Sequence, residues 1–285
     1  MVISSTLAVL AALIWALSIV NIRRGLCSSN FISVSLVITI VGAAILVPLS
    51  LVSTPIESIN VHGFLLFMLA GFFSPGLVRL LYFKGMEKVG ASANASIYAS
   101  YPVFSSLLAT LLLGEELTVK VWIGVICVVL GAMIVQKAMH NDAAIKGGPR
   151  DLAYSLMAAI SSGLAFVFKK EGLNVCDLPI LGTATGYVVA ILLYLPITLK
   201  RPALLNKEAF KLFWGPSVGL CAGHLLVFYA LKFGEVSRVT PLLQLEPLFI
   251  IFLVRYYLKG VEETPFRLII GALMIILGAT LVILD

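Results

Sequence analysis

The sequence predicts an all-α integral membrane protein with ten transmembrane helices, arranged as two inverted five-helix repeats. Three observations predict this. The side chains are 60% hydrophobic and only 12% charged, with a mean hydropathy of +1.08. Ten apolar runs of spanning length follow one another. A polar stretch at the midpoint divides them into two sets of five that share residues in the same order.

Composition comes first. A soluble domain is about half apolar and about a quarter charged. A water-soluble fold has too little interior for this much apolar side chain, so the solvent is lipid. The formal charge of +6 comes from Lys and Arg scattered in short gaps, which excludes a nucleic-acid footprint. Cys27, Cys127, Cys176 and Cys221 stand far apart with no CxxC pair, so neither a zinc site nor a disulfide framework is signalled. Residues 1–20 have no basic residue ahead of the apolar run and no cleavage pattern behind it. They read as the first span, not as a signal peptide.

The expected spans are 4–22, 31–53, 63–86, 91–113, 119–137, 151–169, 178–199, 209–232, 236–257 and 264–284. Each is near the 20 or so residues that a bilayer requires. The runs are continuous, not alternating, so they are helices and not barrel strands. Residues 138–150, with His140, Asn141, Asp142, Lys146, Gly147, Gly148 and Pro149, form the only linker. It separates a first repeat, 1–137, from a second, 151–285.

The repeat is read residue by residue. Trp15–Ser18 and Arg23–Leu26 have counterparts in Ser162–Ala165 and Lys170–Leu173, 147 positions later. Tyr101-Pro102-Val103-Phe104 corresponds to Glu246-Pro247-Leu248-Phe249 at 145. Gly124 and Gly131 correspond to Gly271 and Gly278 at 147. Five spans is an odd number, so the second half enters the membrane with opposite orientation. Such halves are related by a two-fold axis in the membrane plane, the plan of many secondary transporters.

With a cytoplasmic N-terminus, the cytoplasmic loops carry Lys120, Lys169, Lys170, Lys232 and Arg238 against fourteen Lys and Arg opposite. The positive-inside rule therefore puts both termini outside and the 138–150 linker inside.

Several segments together resemble the drug/metabolite transporter superfamily, in its EamA-like branch. They are the Leu113-Gly114-Glu115-Glu116-Leu117-Thr118 segment, its looser copy Lys259-Gly260-Val261-Glu262-Glu263-Thr264, and Tyr229-Ala230-Leu231-Lys232 followed by Glu246-Pro247. The resemblance covers the whole chain. It implies a solute carrier, often an exporter of amino acids or other metabolites, with a central cavity between the halves. It also implies cytoplasmic termini, opposite to the charge count.

Glu246 is the sharpest candidate. It stands ten residues into its span, about 15 Å along the axis and near the midplane. A carboxylate there is costly and usually faces a bundle interior or a wet cavity. It reads as a proton-coupling acid, a ligand for a substrate ammonium, or a protonated structural acid. Its counterpart Tyr101 lies on a stripe with Asn94, Tyr98 and Ser105, which share one helical face. Pro102 and Pro247 remove helix hydrogen bonds, giving a substrate-site break, a hinge, or a packing kink. Arg79 either binds a substrate anion or snorkels. His224 either passes protons or is a buried hydrogen-bonding group. Tyr82, Tyr229 and Trp15 are candidate cavity aromatics; Gln244 faces away from Glu246. The two glycine pairs mark either contact between helices five and ten or a dimer interface.

No clustered acids, HExxH, GxSxG or P-loop appear, so the sequence reads as a transporter and not an enzyme. No cofactor or metal is implied. The expected partners are the lipid bilayer, a small-molecule substrate and protons, with the chain a monomer or homodimer in the cell membrane. A flippase for a lipid-linked headgroup is the alternative within transport.

Overall fold

The computed structural model describes residues 2–25, 31–139, 148–200, 207–257 and 266–284. Cys27, linker residues 140–147 and the Lys259–Thr264 segment lie outside the described residues. Ten helical spans run in order. They are α1 (Val2–Gly25), α2 (Phe31–Ser53), α3 (Val61–Val89), α4 (Ala91–Leu113), α5 (Val119–Met139), α6 (Pro149–Val175), α7 (Pro179–Lys200), α8 (Lys207–Phe233), α9 (Val236–Leu243 continued by Glu246–Tyr257) and α10 (Phe266–Ile283).

Local chemistry sets the boundaries. The Asn60 side chain accepts from His62 N at 2.9 Å and caps the start of α3. Gly114, with φ +70°, is the left-handed residue that stops α4. Asp151 accepts from Gly148 N at 3.0 Å at the start of α6. One boundary differs from expectation by more than a helical turn. The sequence ends the sixth span at 169, but α6 continues to Val175, so Lys169 and Lys170 are helix residues and not loop charges.

Lipid supplies no hydrophobic drive between helices, so small residues pack the interior. Ala8, Ala11, Ala12 and Ala16 form a fully buried stripe on α1, while Leu111, Leu112, Leu192 and Leu277 stay exposed. The pairings reveal the symmetry. The α1 helix packs on α8 as α6 packs on α3, and α1 packs on α9 as α6 packs on α4. The α2 helix packs on α8 as α7 packs on α3, and the pairs α2–α7, α4–α9 and α5–α10 map onto themselves. Exchanging α1–α5 with α6–α10 leaves this set unchanged, as an inverted two-fold repeat requires.

The glycines sit in the α5–α10 seam. A methyl group on Gly278 would stand 2.6 Å from Gly124 O, and one on Gly131 would stand 2.6 Å from Gly271 O. These backbones touch, so the glycine pairs serve helix contact within one chain.

Candidate functional site

Two spans are broken at equivalent places. In α4 the helix Ala91–Tyr98 gives way to Tyr101–Leu113. In α9 Val236–Leu243 gives way to Glu246–Tyr257. Two pairs of bonds at the breaks correspond. Ser100 N donates to Ile97 O and Leu245 N to Leu242 O, both at 3.1 Å; Val103 N donates to Ser100 O and Leu248 N to Leu245 O, both at 3.0 Å. Pro102 and Pro247 are therefore the second residues of the downstream helices, where a missing N–H is cheap. The two breaks meet: Gln244 Nε2 donates to Ala99 O at 2.6 Å. Gln244 and Ala99 are themselves counterparts, so their contact lies beside the pseudo-two-fold axis. Glu246 is the first residue of its downstream helix, half-buried, where the helix dipole favours a carboxylate.

A third break was not read from the sequence. The α3 span passes through a π-helical turn at Phe72–Leu77, with Ser74 out of helical conformation (φ −143°, ψ 120°). The Tyr194 hydroxyl of α7 reaches the carbonyls of Pro75 and Gly76 at 2.7 and 2.9 Å. Irregular backbone inside a membrane is tolerated where protein or a cavity satisfies it. Here a cavity borders the break, lined by Ser74, Lys169, Thr183, Tyr187, His224 and Phe228. It leaves about 10 Å³ for the centre of a water-sized molecule, room for roughly one water.

Most of the residues singled out by the sequence gather around these breaks. Trp15 and His224 meet edge to face at 5.0 Å, and Trp15 Nε1 donates to Leu220 O. His224 Nδ1 shares a hydrogen bond of 2.8 Å with Tyr187. Arg79 donates to Ser35 O at 3.4 Å. Tyr82 meets Tyr98 at 5.1 Å, Tyr98 meets Tyr101 at 5.4 Å, and Tyr101 stacks on Phe166 at 5.7 Å. Glu246 stands within charge range of both Tyr98 and Tyr101.

The α4 stripe faces α6. Ser155 Oγ donates to Asn94 Oδ1 at 2.7 Å, and Tyr98 shares a hydrogen bond with Ser162 at 3.3 Å. Ser105 turns instead to Thr240 of α9, at 2.7 Å. Asn94 is fully buried in this seam, and among the described residues its Nδ2 has no partner. Tyr229 is half-buried on α8; its neighbour Phe228 is the residue that borders the cavity.

Lys169 is the residue that sequence reading missed. It is 5% exposed, with its ammonium 4.9 Å from the Phe166 ring centre and 5.6 Å from that of Phe228. Ser155, Ser162, Phe166 and Lys169 follow the spacing i, i+7, i+11, i+14, one face of α6. All four already lie within the expected span 151–169; counting Lys169 as a loop charge hid that signal.

Glu115 is the second omission. Its carboxylate is 9% exposed and accepts from Val236 N (2.7 Å), Ser237 N (3.0 Å) and Ser237 Oγ (2.6 Å). The Gly-Glu pair after α4 thus stops one helix and caps another, binding the first half to the second.

Residues 2–136 and 151–284 each match the EamA-like transporter family. An uncharacterized transporter of Archaeoglobus fulgidus is 26% identical over 276 residues, covering 96% of this chain and 95% of its own. An uncharacterized transporter of Clostridium kluyveri is 26% identical over 137 residues, 45% of this chain and 42% of its own. A solved crystal structure shares the fold with a TM-score of 0.81 at 15% identity, covering 99% of this chain and 96% of that one. With ten spans, two halves exchanged by symmetry and a family match across both, the chain belongs to the EamA-like transporter family of multi-pass membrane proteins.

Proposed function

We propose that this protein is a secondary transporter that exports small polar or amphipathic metabolites, such as amino acids, by alternating access coupled to protons. Residues 1–137 and 151–285 are its two moving units, joined by 138–150. Glu246 is the coupling or substrate-binding acid. Trp15, Arg79, Tyr82, Tyr98, Tyr101 and His224 border the route.

One observation carries this reading: the matched breaks in α4 and α9, bonded to each other, with an acid at the start of one downstream helix. Discontinuous helices near the midplane are how many secondary transporters build sites and hinges. The breaks are joined across the two halves, so a rocking motion must act on them. The cavity beside Lys169 holds about one water, so a solute enters only when the halves separate.

The test uses proteoliposomes under an imposed pH gradient, loaded with amino acids and other metabolites, with internal pH followed by a dye. Wild type is expected to move protons with its solute. Glu246→Gln, at normal folded yield, is expected to lose that coupling. Unchanged transport with unchanged pH dependence in Glu246→Gln rules out its role.

A further inference from the structure

Two cations stand inside the described bundle, in different surroundings. Arg79 has an oxygen partner in Ser35 O. Lys169 has none. Among the described residues no carboxylate, hydroxyl or carbonyl bonds its ammonium, which rests between two phenyl rings. Cation–π contact offsets part of the lost hydration but supplies no hydrogen-bond acceptor. A buried ammonium without an anion is costly, and the usual remedy is a paired, hydrogen-bonded charge.

The same ammonium borders the cavity at the α3 break. Ser74, on the unwound turn, has a hydroxyl with no partner among the described residues and borders the same space. The Thr183 hydroxyl is already directed to Pro179 O at 2.7 Å, and Tyr187 and His224 are bonded to each other. The donors left for a guest are therefore the Lys169 N–H groups and the Ser74 O–H. One positive charge and one hydroxyl suit a singly charged, two-oxygen group. Phe166 and Phe228 flank it with apolar surface.

We infer that Lys169 anchors the carboxylate of the transported solute, so that the substrate class is small organic monocarboxylates with an apolar or aromatic body. This rests on the transporter reading above and gives that route its substrate chemistry. Arg79 then acts on the fold, tying α3 to α2, while Tyr194 ties α7 to the α3 break.

The test is thermal unfolding of the purified full chain with butyrate, phenylacetate, their amides butyramide and phenylacetamide, and inorganic phosphate. A ligand of the folded state raises the transition temperature by mass action. Both carboxylates are expected to raise it, and the amides are not. Lys169→Met keeps the side-chain length without the charge. It is expected to weaken carboxylate binding about 10- to 100-fold, the loss of a charge-assisted hydrogen bond. Lys169→Gln runs beside it to separate loss of charge from loss of packing, and Lys169→Arg is expected to retain part of the binding. The inference is overturned if no carboxylate stabilises wild type, if the amides or phosphate do as well as the carboxylates, or if Lys169→Met binds them like wild type. Failure of the transporter reading looks different: proton-linked flux unaffected by Glu246→Gln, with the carboxylate response intact in both proteins.

Discussion

The α5–α10 seam and the cavity beside Lys169 belong to one repeated fold yet follow opposite rules. In the seam every glycine has its counterpart: Gly124 with Gly271, Gly131 with Gly278. Gly124 lies against Gly278 and Gly131 against Gly271, each touching the counterpart of the other glycine on its own helix, so the contact is the same from either half. Around the cavity the halves disagree. The position 147 before Lys169 is Ile22, that before His224 is Leu77, and that after Arg79 is Leu226. Glu246 answers to Tyr101. Where the halves agree they build the frame. Where they differ, one half supplies charge and the other apolar surface. Duplication alone gives a shell; divergence after duplication gives it chemistry.

The largest expected effect lies in the shared frame. Gly278→Val sets its first added carbon 2.6 Å from Gly124 O and 2.7 Å from Val128 Cγ2. The oxygen is backbone and cannot rotate away. Overpacking costs about 1–3 kcal/mol, and this site falls at the top of that range. A lowered unfolding temperature of the purified protein checks it. The control is Gly215→Ala on α8, where a new methyl meets nothing within 4 Å. There the helix propensity of alanine predicts a gain of up to about 1 kcal/mol. Equal effects at both sites would mean that the seam is not closed.

Next comes Glu115, a contact of the first half with the second. Glu115→Ala removes the acceptor of two backbone N–H groups and one hydroxyl at the start of α9. Loss of a helix cap with buried donors left behind costs about 2 kcal/mol. Glu115→Gln keeps one acceptor oxygen and is expected to recover about half. Equal stability of Glu115→Ala and wild type would show that the two halves do not depend on this cap.

The frame was more legible in the sequence than the site, for a physical reason. Spans announce themselves by length and apolarity, and the repeat by glycines and prolines at constant offsets, all local signals. Pro102 and Pro247 marked their breaks because each follows a distinctive residue, Tyr101 or Glu246. Pro75 was equally present, in Ser74-Pro75-Gly76, but nothing in the other half answers to it. Lys169 was hidden by its neighbours. Lys169-Lys170-Glu171-Gly172 reads as a polar helix end, and only three-dimensional packing separates the two lysines. Lys170 reaches Leu231 O at 2.8 Å, while Lys169 turns inward to Phe166 and Phe228. Tyr187 gave no sequence signal, because its hydrogen bond to His224 joins residues from different spans.

The smallest effect concerns the one place where frame and site coincide. Gln244 and Ala99 are counterparts in contact, so perfect symmetry is impossible for their bond. Two identical side chains could not both donate to each other's carbonyl in the same space. The chain resolves this with a donor on one side and a methyl on the other, and Gln244 Nε2 reaches Ala99 O at 2.6 Å. Gln244→Leu keeps the volume and removes the donor, leaving a carbonyl freed by the α4 break without its partner. The expected loss is about 1 kcal/mol of stability, the net value of one hydrogen bond. If the junction also moves during transport, the same variant changes the rate of solute exchange in proteoliposomes more than it changes solute affinity. A variant that lowers stability but leaves that rate untouched would assign the bond to the frame alone, and the moving contact would then lie elsewhere along α4 and α9.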